Sequence, residues 1–266
     1  MPDRINMIGV SFDAKSSFLN GPAKGPSAIR EVLFSGASNL FSETGVDLDS
    51  VNGFKKVIDL KIENSDAGYL QIEGEAEKQL SDGAIPIFLG GDHSITYPLV
   101  KAVAKSMKPT TIVHFDAHPD LYHKFEDDRF SHACPFARIM EDSLTDRLIQ
   151  IGIRTTNDHQ RQQAKKFGIE LYELPEMPTD LDLSNNDKVY ISLDLDVFDP
   201  AFVPGISHHE PGGLSVRDVI GIIHSINASI VGADVVELNP QRDLNGMTAA
   251  VAAKMVKEIA GKMVIT

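Results

Sequence analysis

The segment HFDAHPD, residues 114–120, places two carboxylates and one imidazole at alternate positions directly after an apolar run. These groups belong to Asp116, His118 and Asp120. If the segment is extended, alternate side chains point to one face, so the three groups would converge. Buried carboxylates that lie close together repel each other and lose hydration. The spacing therefore predicts a positive charge beside this segment.

Two further apolar runs end in residues of the same kinds. Residues 84–93, AIPIFLGGDH, end in His93, and residues 188–196, KVYISLDLD, end in Asp194 and Asp196. The carboxyl ends of parallel strands meet at one edge of a sheet, where α/β proteins bind their ligands. We therefore expect the three runs to present their polar ends to one site.

This combination of carboxylates and imidazoles predicts a site for two divalent cations. It suits Mn²⁺ better than Zn²⁺, and other divalent metals would also fit. Two ions balance the charge of the four aspartates in the set, and such a pair activates water for hydrolysis. The predicted ligands are His93, Asp116, His118, Asp120, Asp194 and Asp196.

Three nearby ionisable residues have other predicted roles. Asp92 could orient a histidine that binds metal. Asp199 precedes a proline and could fix a loop. His114 would share the face of Asp116 but lies deeper in the strand, so we expect a buried, hydrogen-bonded histidine there.

The elements that must position these residues alternate between strands and helices. Short apolar runs predict strands at residues 4–10, 55–60, 84–90, 110–116, 148–153, 169–174, 188–194 and 230–238. Apolar residues at helical spacing predict helices at 28–34, 69–80, 95–107, 216–226 and 247–259. This alternation predicts an α/β fold with a largely parallel sheet between helical layers. Nothing in the chain indicates a domain boundary, so we expect one domain over residues 1–266.

Composition excludes two classes of partner and indicates a compartment. A formal net charge of −13 over 266 residues argues against binding to nucleic acid or to an anionic membrane surface. No window approaches the length of apolar sequence that a membrane span needs. The single cysteine, Cys134, allows no intrachain disulfide, and the amino-terminal segment has no signal-peptide pattern. We therefore expect a cytoplasmic protein.

Four motifs together resemble the ureohydrolase family, which comprises the arginases, the agmatinases and their relatives. They are GGDHS at 90–94, DAHPD at 116–120, SLDLDVFDPAFVPG at 192–205 and GADVVELNP at 232–240. The resemblance extends from GPAKGPSAIRE at 21–31 to the last strand. It implies a three-layer α/β/α fold with an eight-stranded parallel sheet, a pair of Mn²⁺ ions and a homotrimer or homohexamer. The implied reaction hydrolyses a small cationic guanidino compound to urea and an amine.

The resemblance also implies roles for individual residues. The first metal would be held by His93, Asp116, Asp120 and Asp194, and the second would be completed by His118 and Asp196, with one or more of the aspartates shared. Asp120 would also take a proton from the attacking water and pass it to the leaving nitrogen. His132, in FSHACPF, matches a mobile histidine that shuttles protons; the alternative is an exposed loop histidine. Glu237 matches the carboxylate that pairs with the guanidinium of the substrate.

The segment after DAHPD indicates which guanidino compound to expect. Arginases resemble one another in an Asn- and Ser-bearing loop there, whereas this chain has LYHKFEDDRFSHACPFARIME at 121–141, part of which resembles agmatinases. The acidic residues 126–128 could attract a second positive charge, as in agmatine, or face solvent. Lys124, Arg129 and Arg138 could instead receive an anionic tail. We predict conversion of agmatine to putrescine, with arginine or another guanidino compound as the alternative.

A second loop departs from the agmatinase pattern. Residues 206–210 replace the usual Gly-Thr-Gly-type turn, and within them His208 and His209 could contact the substrate tail, add a weak metal contact or do neither. Two other classes of protein compete with this prediction: a one-zinc amide hydrolase on a similar fold, and a non-catalytic metal-binding assembly partner. The complete set of six ligands and Glu237 favour the two-metal enzyme.

Overall fold

Eight parallel strands form one sheet in the computed structural model, which describes residues 4–80, 83–178 and 180–266. Residues 1–3, which begin the predicted domain, lie outside the described residues. The strands are β1 (Ile5–Gly9), β2 (Val57–Asp59), β3 (Ile85–Leu89), β4 (Thr111–Phe115), β5 (Arg147–Ile153), β6 (Glu170–Glu173), β7 (Lys188–Asp194) and β8 (Ser229–Val236). All eight predicted strands are therefore present.

The order of strands across the sheet is β2-β1-β3-β8-β7-β4-β5-β6, and every neighbouring pair is parallel. The central strands are buried on both faces, because successive side chains point to opposite sides. In β3, for example, Ile87 and Leu89 enter one apolar core while Phe88 enters the other. Continuous apolar runs in the sequence are therefore the expected signature of this sheet.

Helices cover both faces of the sheet. They are α1 (Gly25–Leu33), α2 (Asp66–Tyr69), α3 (Ile72–Leu80), α4 (Thr96–Met107), α5 (Pro135–Glu141), α6 (Asp158–Phe167), α7 (Val216–Ser225) and α8 (Met247–Ile265). Apolar residues of α1, α7 and α8 belong to one core, and those of α3 to α6 belong to the other. The predicted three-layer α/β/α fold is thus confirmed. None of these helices, within the described ranges, has the length and hydropathy of a membrane span.

The five predicted helices are present, although their ends differ from the prediction. The predicted helix 69–80 corresponds to α3, which begins three residues later, while Tyr69 ends the short α2. The helix α8 continues six residues beyond the predicted end at 259. The sequence pattern did not predict α5 or α6. The polar sequence of α6, DHQRQQAKKF, buries only Gln160, Gln163 and Ala164, so it has no apolar stripe to reveal it.

The strand order brings the three polar strand ends together. β4 pairs with β7 and β7 pairs with β8, so Phe115 lies beside Leu193, and Leu193 lies beside Val235. β3 pairs with the other edge of β8. The residues that follow β3, β4, β7 and β8 therefore share one edge of the sheet, as ligand sites in α/β folds do.

Candidate active site

Tight turns, rather than extended strands, direct the carboxylates into the site. Asp116 Oδ1 accepts the backbone N–H of His118 at 2.6 Å, and Asp194 Oδ1 accepts the backbone N–H of Asp196 at 2.8 Å. An aspartate that binds the N–H two residues ahead forms an Asx turn. The alternate spacing in the sequence therefore reflects a turn in which each first aspartate both shapes the loop and faces the site.

The nitrogen Nδ1 of His93 lies at the centre of three carboxylates. The oxygens of Asp116, Asp120 and Asp194 lie 3.1, 3.1 and 3.2 Å from it, and the histidine is buried. Among the described residues, Nδ1 has no hydrogen-bond partner. Burial lowers the pKa of His93, but the three carboxylates outweigh this effect and raise it well above its ordinary value. The position therefore demands a positive charge.

The opposite nitrogen of His93 fixes the orientation of the ring. Nε2 lies 3.0 Å from the hydroxyl of Ser192, and that hydroxyl donates to Asp234 at 2.7 Å. Because the only hydroxyl proton of Ser192 goes to Asp234, Nε2 of His93 must carry a proton and donate it to Ser192. With a cation in place of a proton at Nδ1, the ring would be neutral and its Nδ1 lone pair would face that cation among the three carboxylates. This donor set fits a divalent cation.

A second group of ligands adjoins the first. Nδ1 of His118 lies 2.9 Å from Asp196 and 3.4 Å from the other oxygen of Asp116. Side chains of Asp116, His118 and Asp196 are close enough to hold one ion together. Asp116 therefore reaches both groups, and the structure brings all six predicted metal ligands together.

Burial and repulsion from neighbouring carboxylates disfavour the ionised forms of Asp194 and Asp196 in this cluster. Burial and the neighbouring charge of Asp196 raise the pKa of Asp194 well above its ordinary value. Burial and the charge of Asp116 raise the pKa of Asp196 to about 6. A bound cation has the opposite effect, because it stabilises the ionised form of each ligand. The cluster is therefore a group of carboxylates and imidazoles that could hold metal ions, and a bound cation would stabilise its ionised form.

His114 is buried and hydrogen-bonded, in the way the sequence predicted. Its Nε2 lies 2.8 Å from Asp116, and its Nδ1 accepts a hydrogen bond from Gln150. Burial lowers the pKa of His114 to about 4, so the ring is neutral. Its hydrogen bond helps to hold the carboxylate of Asp116 in position.

Asp92 and Asp199 both hold loops. Asp199 accepts the backbone N–H groups of residues 201, 212 and 213, which agrees with its predicted role. The prediction that Asp92 orients a metal-binding histidine is wrong for His93, because both ring nitrogens of His93 face other side chains. Its oxygens bind Ser94 on one side and the backbone N–H of Lys15 on the other. The group that orients His93 is Ser192 instead.

His132 and Glu237 form a buried pair beside the metal cluster. Nδ1 of His132 lies 3.1 Å from Oε1 of Glu237, which also accepts the backbone N–H of His93 at 2.9 Å. Burial lowers the pKa of His132, but its hydrogen bond to Glu237 outweighs this and raises it to about 9. Burial raises the pKa of Glu237, and His132 more than compensates, so the carboxyl titrates below its ordinary range. The pair therefore combines an anionic carboxylate with a protonated imidazole.

Two of the candidate catalytic residues occupy the left-handed region of backbone conformation. Asp120 has φ 50° and Glu237 has φ 66°. Non-glycine residues adopt such angles rarely, and where they do, a functional requirement is a common reason. The conformation at Glu237 turns its side chain from the end of β8 toward His93 and His132.

A cavity of about 200 Å³ opens onto this cluster. Its walls include Asp120, His132, Glu237 and the half-buried His208, whose ring centroid lies 5.3 Å from that of His132. Burial lowers the pKa of His208, so this ring is neutral. The exposed His209 does not line the cavity and bonds to the carbonyl of Pro204. The structure therefore places only the first of these adjacent histidines at the cavity.

No lysine or arginine lines the cavity in the part of the chain that the structure describes. The three basic residues proposed for an anionic tail are engaged elsewhere. Lys124 pairs with Asp127, and both Arg129 and Arg138 pair with Glu141. The geometry therefore does not favour a substrate whose tail carries a negative charge and no positive charge of its own.

Sequence reasoning missed several residues that shape the site. Ser17 lines the cavity and binds His132, and Ser192 with Asp234 orients His93. Arg154 donates to the backbone carbonyls of Asp196 and Glu210, and so joins the turn at residues 194–196 to the loop that carries His208. For Ser17 a signal was available, because its loop follows the carboxyl end of β1. For Ser192, Asp234 and Arg154, the only signal in the sequence was their position within or directly after a predicted strand.

Comparisons with known proteins agree with this arrangement. A model of the arginase family matches residues 3–261. Arginase 1, mitochondrial, of Arabidopsis thaliana is 45% identical over 97% of this chain and 80% of that protein. An agmatinase of Bacillus anthracis is 32% identical over 95% of this chain and 89% of that protein. The solved structure of an arginase from Medicago truncatula superposes with a TM-score of 0.87 and 41% identity, covering 98% of this chain and 87% of that chain.

Proposed function

This chain belongs to the arginase family, and we propose that it hydrolyses the guanidino group of L-arginine to urea and ornithine. The observation that carries the hydrolytic reaction is the convergence of three carboxylates on the Nδ1 lone pair of His93, beside the anionic Glu237. The choice of L-arginine is supported by a relative at 45% identity that is named an arginase, compared with 32% for an agmatinase.

In the proposed mechanism the six ligands would hold two divalent ions, which would supply Lewis-acid activation of water near neutral pH. Glu237 pairs with the guanidinium of the substrate and orients its carbon toward the cluster. Asp120 accepts the proton of the attacking water. His132, which is cationic at neutral pH, provides a proton to the leaving amine. Attack on the guanidinium carbon and cleavage of its bond to the alkyl nitrogen then give urea and ornithine.

Agmatine is the second candidate substrate. One observation favours it: the described residues that line the cavity include no lysine or arginine to receive the carboxylate of arginine. The tail of arginine would then rely on neutral groups such as the amide of Gln160 and the ring of His208. The second charge of agmatine would experience the acidic potential of the chain, whose formal net charge is −13.

Urea release by the Mn²⁺-loaded protein tests the function and the substrate together. We would measure kcat/KM for L-arginine, agmatine, 4-guanidinobutyrate and guanidine, with Asp196→Ala as a control for contaminating activity. The proposal predicts the highest kcat/KM for L-arginine and the lowest for 4-guanidinobutyrate, whose tail is anionic. A higher value for agmatine would select the second candidate. No urea from any compound, despite two bound ions per chain, would contradict the family reaction in this chain.

Three further properties remain part of the proposal. We propose Mn²⁺ as the native metal, a homotrimer or homohexamer as the assembly, and the cytoplasm as the location. Metal analysis of protein purified without added metal tests the first, and light scattering during gel filtration tests the second. Fractionation of the source cells tests the third, and the Arabidopsis relative, which is named mitochondrial, makes that experiment informative.

A further inference from the structure

The loop between β1 and α1 contributes Ser17 to the wall of the cavity and is fixed to its surroundings. Asp92 accepts the backbone N–H of Lys15 at 3.0 Å and the hydroxyl of Ser16 at 3.3 Å. The ammonium of Lys15 pairs with Asp128 at 2.7 Å, on the hairpin that precedes His132. The loop is therefore held in place by groups outside the metal cluster.

Ser17, in this loop, contacts the nitrogen of His132 that Glu237 does not contact. The hydroxyl of Ser17 lies 2.8 Å from Nε2, and the backbone nitrogen of Ser17 lies 3.3 Å from the same atom. On the other side of the ring, Nδ1 lies 3.1 Å from Glu237. The imidazole is thus held at both nitrogens, and Ser17 itself faces the cavity.

We propose that Ser17 is a positioning residue for His132, and this inference rests on the proton-donating role proposed above. A serine hydroxyl can donate to a neutral imidazole or accept from a protonated one. Ser17 can therefore hold the ring in one place before and after His132 gives up a proton, without changing its own protonation state. Without the hydroxyl, Glu237 would hold the ring from one side only, and fewer encounters would align it with the leaving nitrogen.

Steady-state kinetics of Ser17→Ala provide the first test, with Ser16→Ala as the matched control. The neighbouring serine lies in the same loop but binds Asp92 rather than His132. We expect Ser17→Ala to lower kcat about 10-fold, as the loss of one hydrogen bond allows, with KM changed less than about threefold. Ser17→Thr, which keeps the hydroxyl, should recover most of the rate. If Ser16→Ala lowers kcat equally, or if threonine does not rescue it, the proposal is wrong.

A double-mutant cycle separates action through His132 from a general effect on the fold. In the His132→Asn background, Ser17→Ala should have almost no further effect on kcat, because the ring that it positions is gone. If the two losses multiply instead, Ser17 acts independently of His132 and the proposal is overturned. Bound metal should be the same in all variants, since neither residue is among the six ligands.

Histidine-ring NMR on the metal-free protein tests the contact without relying on turnover. The ring nitrogen signal of His132, identified by its loss in His132→Asn, should shift in Ser17→Ala and stay in place in Ser16→Ala. An unchanged signal would overturn the proposal. If the wild type releases no urea, the proposed function fails, and the ring signal then decides on the contact alone. If Ser17→Ala does not fold, Ser17→Cys removes the same hydroxyl and replaces the alanine variant in each measurement.

Discussion

Replacing Ser192 by alanine should weaken metal binding, although Ser192 is not a metal ligand. Its hydroxyl is the group that accepts the Nε2 proton of His93, at 3.0 Å in a fully buried position. In Ser192→Ala that N–H would be left without an acceptor. The neutral ring could then move its proton to Nδ1, where it would block the lone pair that faces Asp116, Asp120 and Asp194.

The expected loss of metal affinity is the loss caused by removing one buried hydrogen-bond partner of a histidine that binds metal. Removing such a partner typically weakens metal binding about 10- to 100-fold. That change corresponds to about 1.4–2.7 kcal/mol at 25 °C, since each factor of ten is about 1.4 kcal/mol. The first metal, which His93 would hold, should show this loss. The second metal, on the side of His118 and Asp196, should be affected less.

Competition with a fluorescent chelator, using metal-free protein titrated with Mn²⁺, measures both affinities. Tyr190→Phe is the matched control, because the buried hydroxyl of Tyr190 also donates to Asp234, at 2.8 Å, two residues away on the same strand. Both variants remove one hydrogen bond to the same carboxylate, and both should lower the midpoint of thermal unfolding. Only Ser192→Ala should lower the affinity for metal by tenfold or more. Equal losses in the two variants, or no loss in either, would refute the reasoning about His93.

Three other substitutions test separate parts of the site. Asp196→Ala should lower bound metal and abolish urea release while the protein stays folded; wild-type activity would show that its side chain is not a ligand. His132→Asn should lower kcat about 10²-fold or more, as loss of a general acid does, with both metals retained; loss of metal would mean that its role was misassigned. Gly91→Ala should cost about 1–3 kcal/mol of stability in chemical denaturation, because an added Cβ would lie 1.6 Å from the carbonyl oxygen of Phe12. Gly74→Ala, where nothing lies within 4 Å, is the control, and an equal loss there would contradict the steric argument.

The sequence predicted the sheet well because its physical signal is local and strong. A strand buried on both faces must be apolar at successive positions, as the central strands are, and the eight short apolar runs of the sequence correspond to the eight strands. The ligand residues could be found for the same reason, since each of their motifs directly follows one of these runs. The helix α6 was missed because it buries glutamines rather than an apolar stripe.

The remaining parts of the site depend on contacts between residues that are far apart in the sequence. Ser17 and His132 are 115 positions apart, and Ser192 and Asp234 are 42 positions apart. No periodicity within one segment encodes such a pair. The histidines of residues 206–210 show the same limit: their adjacency suggested two cavity residues, but the turn exposes His209 and leaves only His208 inside.

The left-handed backbone at Glu237 sets stability and activity in opposition at one position. A glutamate with φ 66° is in a conformation that glycine would adopt more easily, and its carboxylate is desolvated besides. Substitutions that relieve this backbone strain and stabilise the protein would therefore remove the carboxylate that binds the substrate. Selection for thermostability alone is therefore expected to favour inactive variants at this residue. A thermostable and active variant would keep Glu237 and take its stabilising substitutions at other positions.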